Sequence, residues 1–531
     1  MVLSGCGEGA KVSSRSDSQT SKYSIEYKGL SFYDKNLPIS NYKLSPLSDA
    51  DFNALSQEKK LRVADKLLSS LFFGYSPSVL QEKIDSGNFI SGVEKGLREN
   101  KTDIATLEST IRDEKNYYRP GGYANTIDIL SRFYAAKNLD RYFFNNWVAY
   151  ILTQTILFSP AYELDSSHRP NVSRVYNRIV TLLQDDASMR YITYVHMSSE
   201  DNWRRFRSPE DNGREMLEIY TLDKNDADVP LAATALQNWK LDRDYDTLVV
   251  GLNENTKPLH LFGTTVYNGD DFYREMVKSK QFTYGVTKRL VQFFFPNDTT
   301  AKVNSITNAI VSSNPQTFQD ILEQIVLSKE YLLHTTRAKS AEETFYSLVK
   351  KMDYKTNMYS IYYFKVALEN MHQASMKYKL GKLHRVPLDT LSFANYSKYI
   401  REKILMLRSN PNEENNASAW SRQGWSDSFI ASDNFTIDAS NEIQTLHNFI
   451  NYLFTVIVQR KATADELNMF DSLMLETKDG VKNVVYFYNL LDTRVDSDGN
   501  LQGERYKRYV AFVVLDYFSR LENIYLYKKV Q

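Results

Sequence analysis

The sequence predicts a mainly α-helical protein: a multi-helical main domain, a helical C-terminal extension and at most a small β-hairpin insertion. Three observations carry this. Apolar residues recur at helical spacing in long runs, beginning with Leu61, Ala64, Leu67, Leu68, Leu71 and Phe72. Helix-start signatures punctuate the chain, as at Ser48 with Asp51 three residues on, and at Thr463 with Glu466. Strand signals are few.

Taken in order, residues 1–45 read as a tail and tether. Ser48 opens the first helix. Gly74 stops the Leu61–Phe72 run, and Ser76-Pro77 starts another helix. Arg119-Pro120-Gly121-Gly122 is a loop, followed by one aromatic-rich helical run from about Thr126 to Phe158. The best strand candidates are 244–252 and 259–267, as a hairpin insertion. Asn314-Pro315 reads as a helix start, with Phe318, Ile321, Leu322, Ile325 and Val326 on one face. Residues 46–350 form the expected main domain and 351–531 the C-terminal region. Within the latter, 409–441, rich in Asn, Ser, Asp and Glu and interrupted by Trp420 and Trp425, reads as a long surface loop. Those tryptophans serve either a partner or glycan contact or the anchoring of their own loop.

A length of 531 residues is ample for a large core. With 42% hydrophobic and 24% charged residues, and 37 Tyr and 28 Phe, a folded chain is expected. Lys+Arg and Asp+Glu both total 65, so the basic excess that neutralises phosphate backbones is missing and nucleic acid is not an expected partner. No run of 18 apolar residues suggests a membrane span.

Cys6 is the single cysteine, so no intramolecular disulfide can form. It follows Leu3-Ser4-Gly5 and precedes a Ser-, Thr- and charge-rich stretch from Lys11 to Lys22. That context resembles a bacterial lipobox, which implies lipidation of Cys6, a flexible tether and an extracytoplasmic, membrane-anchored location. Only five residues precede Cys6, fewer than a signal peptide's basic and apolar regions need.

Searches for chemistry return little. There is no G-x-S-x-G, P-loop, G-x-G-x-x-G or H-E-x-x-H. His168, His196, His260, His334, His372, His384 and His447 show no close ligand spacing, so neither a metal nor a cofactor is expected. Asp496 to Asn500 fails as a calcium loop because Arg494 and Arg505 would occupy ligand positions; a turn is the better account. Two polar clusters remain. In Asp211 to Glu218, Arg214 and Glu218 stand at pairing distance on a helix, and Glu215 and Glu218 share a side. Two adjacent carboxylates could divide acid and base roles, although an ordinary ion-paired helix is the simpler reading. In Arg337 to Glu343, Lys339 with Glu342 or Glu343 reads as a solvated helix pair.

The run Asn212-Gly213-Arg214-Glu215-Met216-Leu217-Glu218-Ile219-Tyr220-Thr221-Leu222 resembles the N-E-N-x-A-R-E-L-x-E-L-x-T-L core of the bacterial domain of unknown function 1800 family. Asp228-Val229 and Ala232 to Trp239 resemble the acidic residue, Val and Ala-rich helix that follow it there. Lys288 to Leu290, Leu327 to Tyr331, Arg337 to Glu342 and Leu68 to Pro77 are similar to further segments, over roughly residues 55–350. Gly213, Asn238 and Ala341 depart from the family pattern. The resemblance implies an exported helical protein, often encoded beside partners of the domain of unknown function 1501 family, which resemble the alkaline phosphatase and sulfatase superfamily. It also implies that Arg214, Glu215, Glu218, Trp239, Arg337 and Lys339 belong to one polar feature, with Asn212 and Glu342 beside it. The expected function is a partner-binding or assembly module of the cell envelope. The alternative is a helical hydrolase of an envelope or extracellular polymer, with Glu215 or Glu218 as general acid.

Overall fold

The computed structural model describes residues 44–117, 124–157, 172–222, 226–242, 247–354, 425–478, 481–483, 489–497 and 499–530, with short pieces between 361 and 405. Cys6, the 11–22 tether, the 119–122 loop, His168, His372, His384 and Trp420 lie outside the described residues.

The fold is mainly α, with strands of two to four residues paired in four two-stranded antiparallel sheets. Local chemistry sets the helix boundaries. The helix Gln57–Ser70 buries Val63, Ala64, Leu67 and Leu68. It ends where Phe72 turns left-handed at φ 58°. Gly74 then passes so close to the helix Ala341–Lys351 that a Cβ there would lie 2.6 Å from the Ser347 carbonyl oxygen. Glycine is the residue that permits that approach. The next helix, Pro77–Asp85, carries proline in its first turn, where the missing N–H costs nothing. Thr463 and Glu466 form the expected reciprocal cap of Ala464–Met474.

Several expectations are corrected. The aromatic run contains two helices, Ala124–Ala135 and Arg141–Thr155. They part at Asp140, whose carboxylate accepts from the backbone N–H groups of Phe143, Lys101 and Thr102 at 3.0, 2.9 and 2.6 Å. The Asn314-Pro315 start is displaced: Asn314 is left-handed at φ 55°, and the helix Phe318–Val326 begins after Thr317, which makes a capping box with Asp320. Its predicted face is buried. The expected small β insertion is present, as two hairpins. β1 (Trp239–Asp242) pairs with β2 (Thr247–Val250), and β3 (Leu259–Leu261) pairs with β4 (Thr264–Val266). The described part of the 409–441 segment is packed rather than a free loop. Trp425, Phe429 and Ile430 are buried, and Trp425 meets Phe429 edge-on.

One hydrophobic cluster runs from Leu47 to Val530, so residues on both sides of position 350 share a core. The chain closes on itself through β5 (Arg337–Ala338) and β8 (Leu526–Tyr527). Two more backbone bonds, Lys339 N–H to Tyr525 and Val530 N–H to Leu333, lock the terminal strand against the main helices. The remaining pair, β6 (Glu476–Lys478) and β7 (Val481–Asn483), is a short hairpin after Ala464–Met474. Around the expected Asp496–Asn500 turn, Val495 bridges Leu501, the Asp496 N–H donates to the Asn500 carbonyl and Gly499 adopts φ 84°; Asp498 lies outside the described residues.

Candidate functional site: a buried charge network

Charged side chains sit on the apolar face of Gln57–Ser70. Asp65 and Lys66 are 5% and 1% exposed, between Ala64 and Leu67. Burying a charge costs several kcal/mol unless it is paired, so partners are expected. Asp65 receives Lys339 at 3.0 Å and Lys351 on its other oxygen. Burial pushes the Asp65 carboxyl up, but the two ammonium groups overcome this and hold it at about 2. Lys351 is displaced downward, by burial above all.

A second buried pair lies alongside. Arg337 grips Glu343 with two nitrogens, Nη1 to Oε2 at 2.9 Å and Nη2 to Oε1. This is the bidentate geometry that suits guanidinium. Arg337 also donates to the Tyr331 hydroxyl from Nη2 at 2.6 Å, and Tyr331 meets Ser70 Oγ at 2.5 Å. Glu343 doubles as a cap: its carboxylate accepts from Ser340 N–H at 2.7 Å while Ser340 Oγ caps the helix. Tyr527 on β8 lies over the whole group. Its ring centre is 4.8 Å from both the Arg337 guanidinium and the Lys339 ammonium, and its hydroxyl meets Ser69 Oγ at 2.7 Å. Lys66 donates to the Thr335 carbonyl at 2.7 Å and makes no ion pair among the described residues. Burial and the Arg337 charge hold its ammonium well below the usual lysine range. Glu342, fully buried, accepts from the Tyr150 hydroxyl.

The solvated Lys339–Glu342/Glu343 pairing read from the sequence is therefore replaced by a buried network. Lys339 reaches Asp65 because it precedes the helix that carries Glu342 and Glu343, held there by the Tyr525 carbonyl. The sequence reading missed Asp65, Lys66, Lys351, Tyr331 and Tyr527. One signal was present: Asp65-Lys66 falls inside the apolar periodicity of its helix, where charges need partners.

The other candidates lie elsewhere. The helix Pro209–Met216 passes into a π-helical turn, Leu217–Thr221. That turn breaks the α-helical register between Arg214 and Glu218, and the expected pair does not form. Arg214, exposed, pairs with Glu210 at 3.0 Å. Glu215 and Glu218 are half-buried. Burial, then Asp211 and Glu218, push the Glu215 carboxyl up. Glu215 makes no hydrogen bond or ion pair among the described residues. Asn212 and Trp239 belong to a third place. Trp203 Nε1 donates to Tyr273 Oη at 3.0 Å, which donates to Asn212 Oδ1 at 2.8 Å, and Trp239 stacks on Trp203. The residues that the resemblance groups together thus separate into three sites: the Arg337–Lys339–Glu342 network, the Arg214–Glu215–Glu218 face and the Asn212–Trp239 aromatic cluster.

His196 is buried, and desolvation pushes its imidazole down to about 3, so it stays neutral at physiological pH. Among the described residues, no three His, Cys, Asp or Glu side chains are placed to hold a metal. No described helix is long and apolar enough to cross a membrane. Two small cavities flank Asp65, of about 30 and 10 Å³. They suit water or a single small ion. No family model matches the chain, and no curated protein or solved structure matches it either.

Proposed function

We propose that this chain is an extracytoplasmic lipoprotein, anchored through Cys6, that acts as a partner-binding or assembly module of the cell envelope. We further propose that it is a divergent member of the domain of unknown function 1800 family. The observation that carries the partner-binding reading is where apolar side chains remain exposed. Leu252 is fully exposed after β2, with Tyr267 at the far side of the second hairpin. Val495 and Leu501 stand on either side of the Asp496–Asn500 turn. Connections carried on a rigid body, presenting apolar groups, are the usual place for recognition. The buried ion pairs, Asp65 with Lys339 and Lys351 and Arg337 with Glu343, serve the scaffold. A partner of the domain of unknown function 1501 type fits this reading.

Cross-linking in native membranes tests it, using the precursor with a complete signal peptide beside Cys6→Ala and Leu252→Asp forms. One stoichiometric envelope protein is expected with the first and lost from both variants. Equal capture by Leu252→Asp, or no partner at all, counts against the reading.

Glu215 favours a second reading, a hydrolase of an envelope or extracellular polymer. A half-buried carboxyl with a raised pKa and no partner is what a general acid needs. Release of reducing ends from cell-envelope polysaccharide by the wild-type protein, abolished in Glu215→Gln, would support it. Equal rates in both would remove it.

A further inference from the structure

The larger cavity beside Asp65 is unusual in its charge. Its lining includes Arg62, Lys66, Lys339 and Lys528, with Asp65 the one carboxylate among them. Asp65 is already engaged by Lys339 and Lys351. The buried group sets four cations, Lys66, Arg337, Lys339 and Lys351, against three carboxylates, Asp65, Glu342 and Glu343. One positive charge, on Lys66, is left without an ion-pair partner among the described residues. The rim does not supply one: Arg62 is matched by Glu58, and Lys528 by Glu522.

Donors are also left over. Lys66 uses one of its three N–H groups on the Thr335 carbonyl, and its ammonium lies 4.9 and 5.9 Å from the ring centres of Tyr331 and Tyr527. The Arg62 Nε–H is buried and has no acceptor among the described residues. Asn523, which also lines the cavity, makes only a long 3.4 Å side-chain bond, to the Val458 carbonyl, among the described residues. Surplus positive charge and unused N–H groups around one space call for a species with negative charge and several acceptor oxygens. The cavity, about 30 Å³, is of small-ion size and takes no nucleotide base. Arg62 and Lys528, with side chains 33% and 46% exposed, form its solvent-facing edge.

We propose that this cavity binds a single phosphate-type oxyanion between Lys66, Arg62 and Lys528. An anion there would balance the surplus charge and let Lys66 stay protonated while buried. The inference does not depend on the partner-binding reading. The same chemistry could arrive as free phosphate or as a phospholipid headgroup.

The test is calorimetric titration of the whole chain with inorganic phosphate at constant ionic strength, against chloride. Saturable binding is expected, about tenfold weaker in Lys66→Met. Because Lys66 is buried, Lys528→Gln at the edge provides a second arm that leaves the core intact, and several-fold weakening is expected there. Lys95→Gln, at an exposed side chain outside the cavity lining, should leave affinity unchanged. Co-sedimentation with phosphatidate vesicles, relieved by added phosphate, would assign a lipid headgroup as the source; no co-sedimentation would assign the free ion. Absence of saturable phosphate binding, or equal affinity in the wild type and Lys528→Gln, would overturn the proposal.

Discussion

Asp65 and Lys339 are 274 positions apart in the chain and 3.0 Å apart in the fold, in a pair from which water is nearly excluded. With Lys351 on the other oxygen, Asp65 ties the helix Gln57–Ser70 to the segment that carries β5, and β8 covers the junction. The pair joins the beginning of the described chain to its middle, and β8 brings the end onto the same junction. It is a scaffold contact whose removal should be felt globally.

Replacing Asp65 with Ala leaves Lys339 and Lys351 buried without a counterion. Such half-broken pairs typically cost about 3–5 kcal/mol. In urea unfolding, Asp65→Ala should lower the unfolding free energy by that amount, seen as a lower midpoint at unchanged slope. The Asp65→Leu, Lys339→Met double variant should recover part of the loss, because two apolar groups need no counterion. A loss under about 1 kcal/mol in Asp65→Ala would mean that water reaches the pair.

The same carboxylate predicts an acid limit. In the unfolded chain it titrates near 3.8, and in the fold at about 2. Between these values the unfolded state binds more protons, so stability falls with falling pH. The contribution is complete above about pH 4 and gone below about pH 2, and amounts to about 2 kcal/mol. Lys66 acts at the other end. Its folded value is depressed, so the unfolded chain again binds more protons, and stability rises with pH up to the ordinary lysine value. Urea midpoints from pH 2 to 6 should slope steeply in the wild type and less in Asp65→Asn. Parallel slopes would dissociate Asp65 from the acid limit.

Much of the fold was legible because helices announce themselves locally. The Val63–Leu68 face, the Thr463 cap and the Phe318–Val326 face follow from spacing alone. Boundaries set by a single side chain were harder. Asp140 splits the aromatic run because it caps one helix while also binding Lys101 and Thr102, and those partners lie 38 and 39 positions away. The site was less legible still. Lys339 looks like a solvated helix residue until Asp65 is brought to it, and no local pattern specifies that meeting. The Arg214–Glu218 pair failed for a related reason. The π turn Leu217–Thr221 lies close against the helix Lys280–Phe294, a contact that no local pattern announces.

That packing yields a third prediction. Gly285, in the helix Lys280–Phe294, lies against the π turn so closely that a Cβ would stand 2.2 Å from the Tyr220 carbonyl oxygen. Backbone cannot give way as a flexible side chain can. Gly285→Ala should cost about 1–3 kcal/mol by overpacking, despite the better helix propensity of alanine. Gly251→Ala, whose Cβ would meet only the Asn238 carbonyl oxygen at 3.5 Å, should be nearly neutral and serves as the control. Thermal unfolding of both variants checks this; a neutral Gly285→Ala would show that the two helices can separate.

The last prediction concerns Glu215. Its charge is disfavoured first by partial burial and then by Asp211 and Glu218, against weaker attraction from Arg205 and Arg214. A folded-state value above the ordinary one means the folded protein binds more protons, so this group costs stability once pH rises above the glutamate range. Glu215→Gln removes the charge and keeps the shape. It should therefore be neutral or stabilising by a few tenths of a kcal/mol at pH 7, with the difference vanishing by about pH 4. A carboxylate retained at a cost to stability is a mark of function, and a hydrolytic role would then be lost in the same variant that gains stability. If Glu215→Gln is instead destabilising at pH 7, the carboxylate has a partner in the fold, and the general-acid reading loses the observation that favours it.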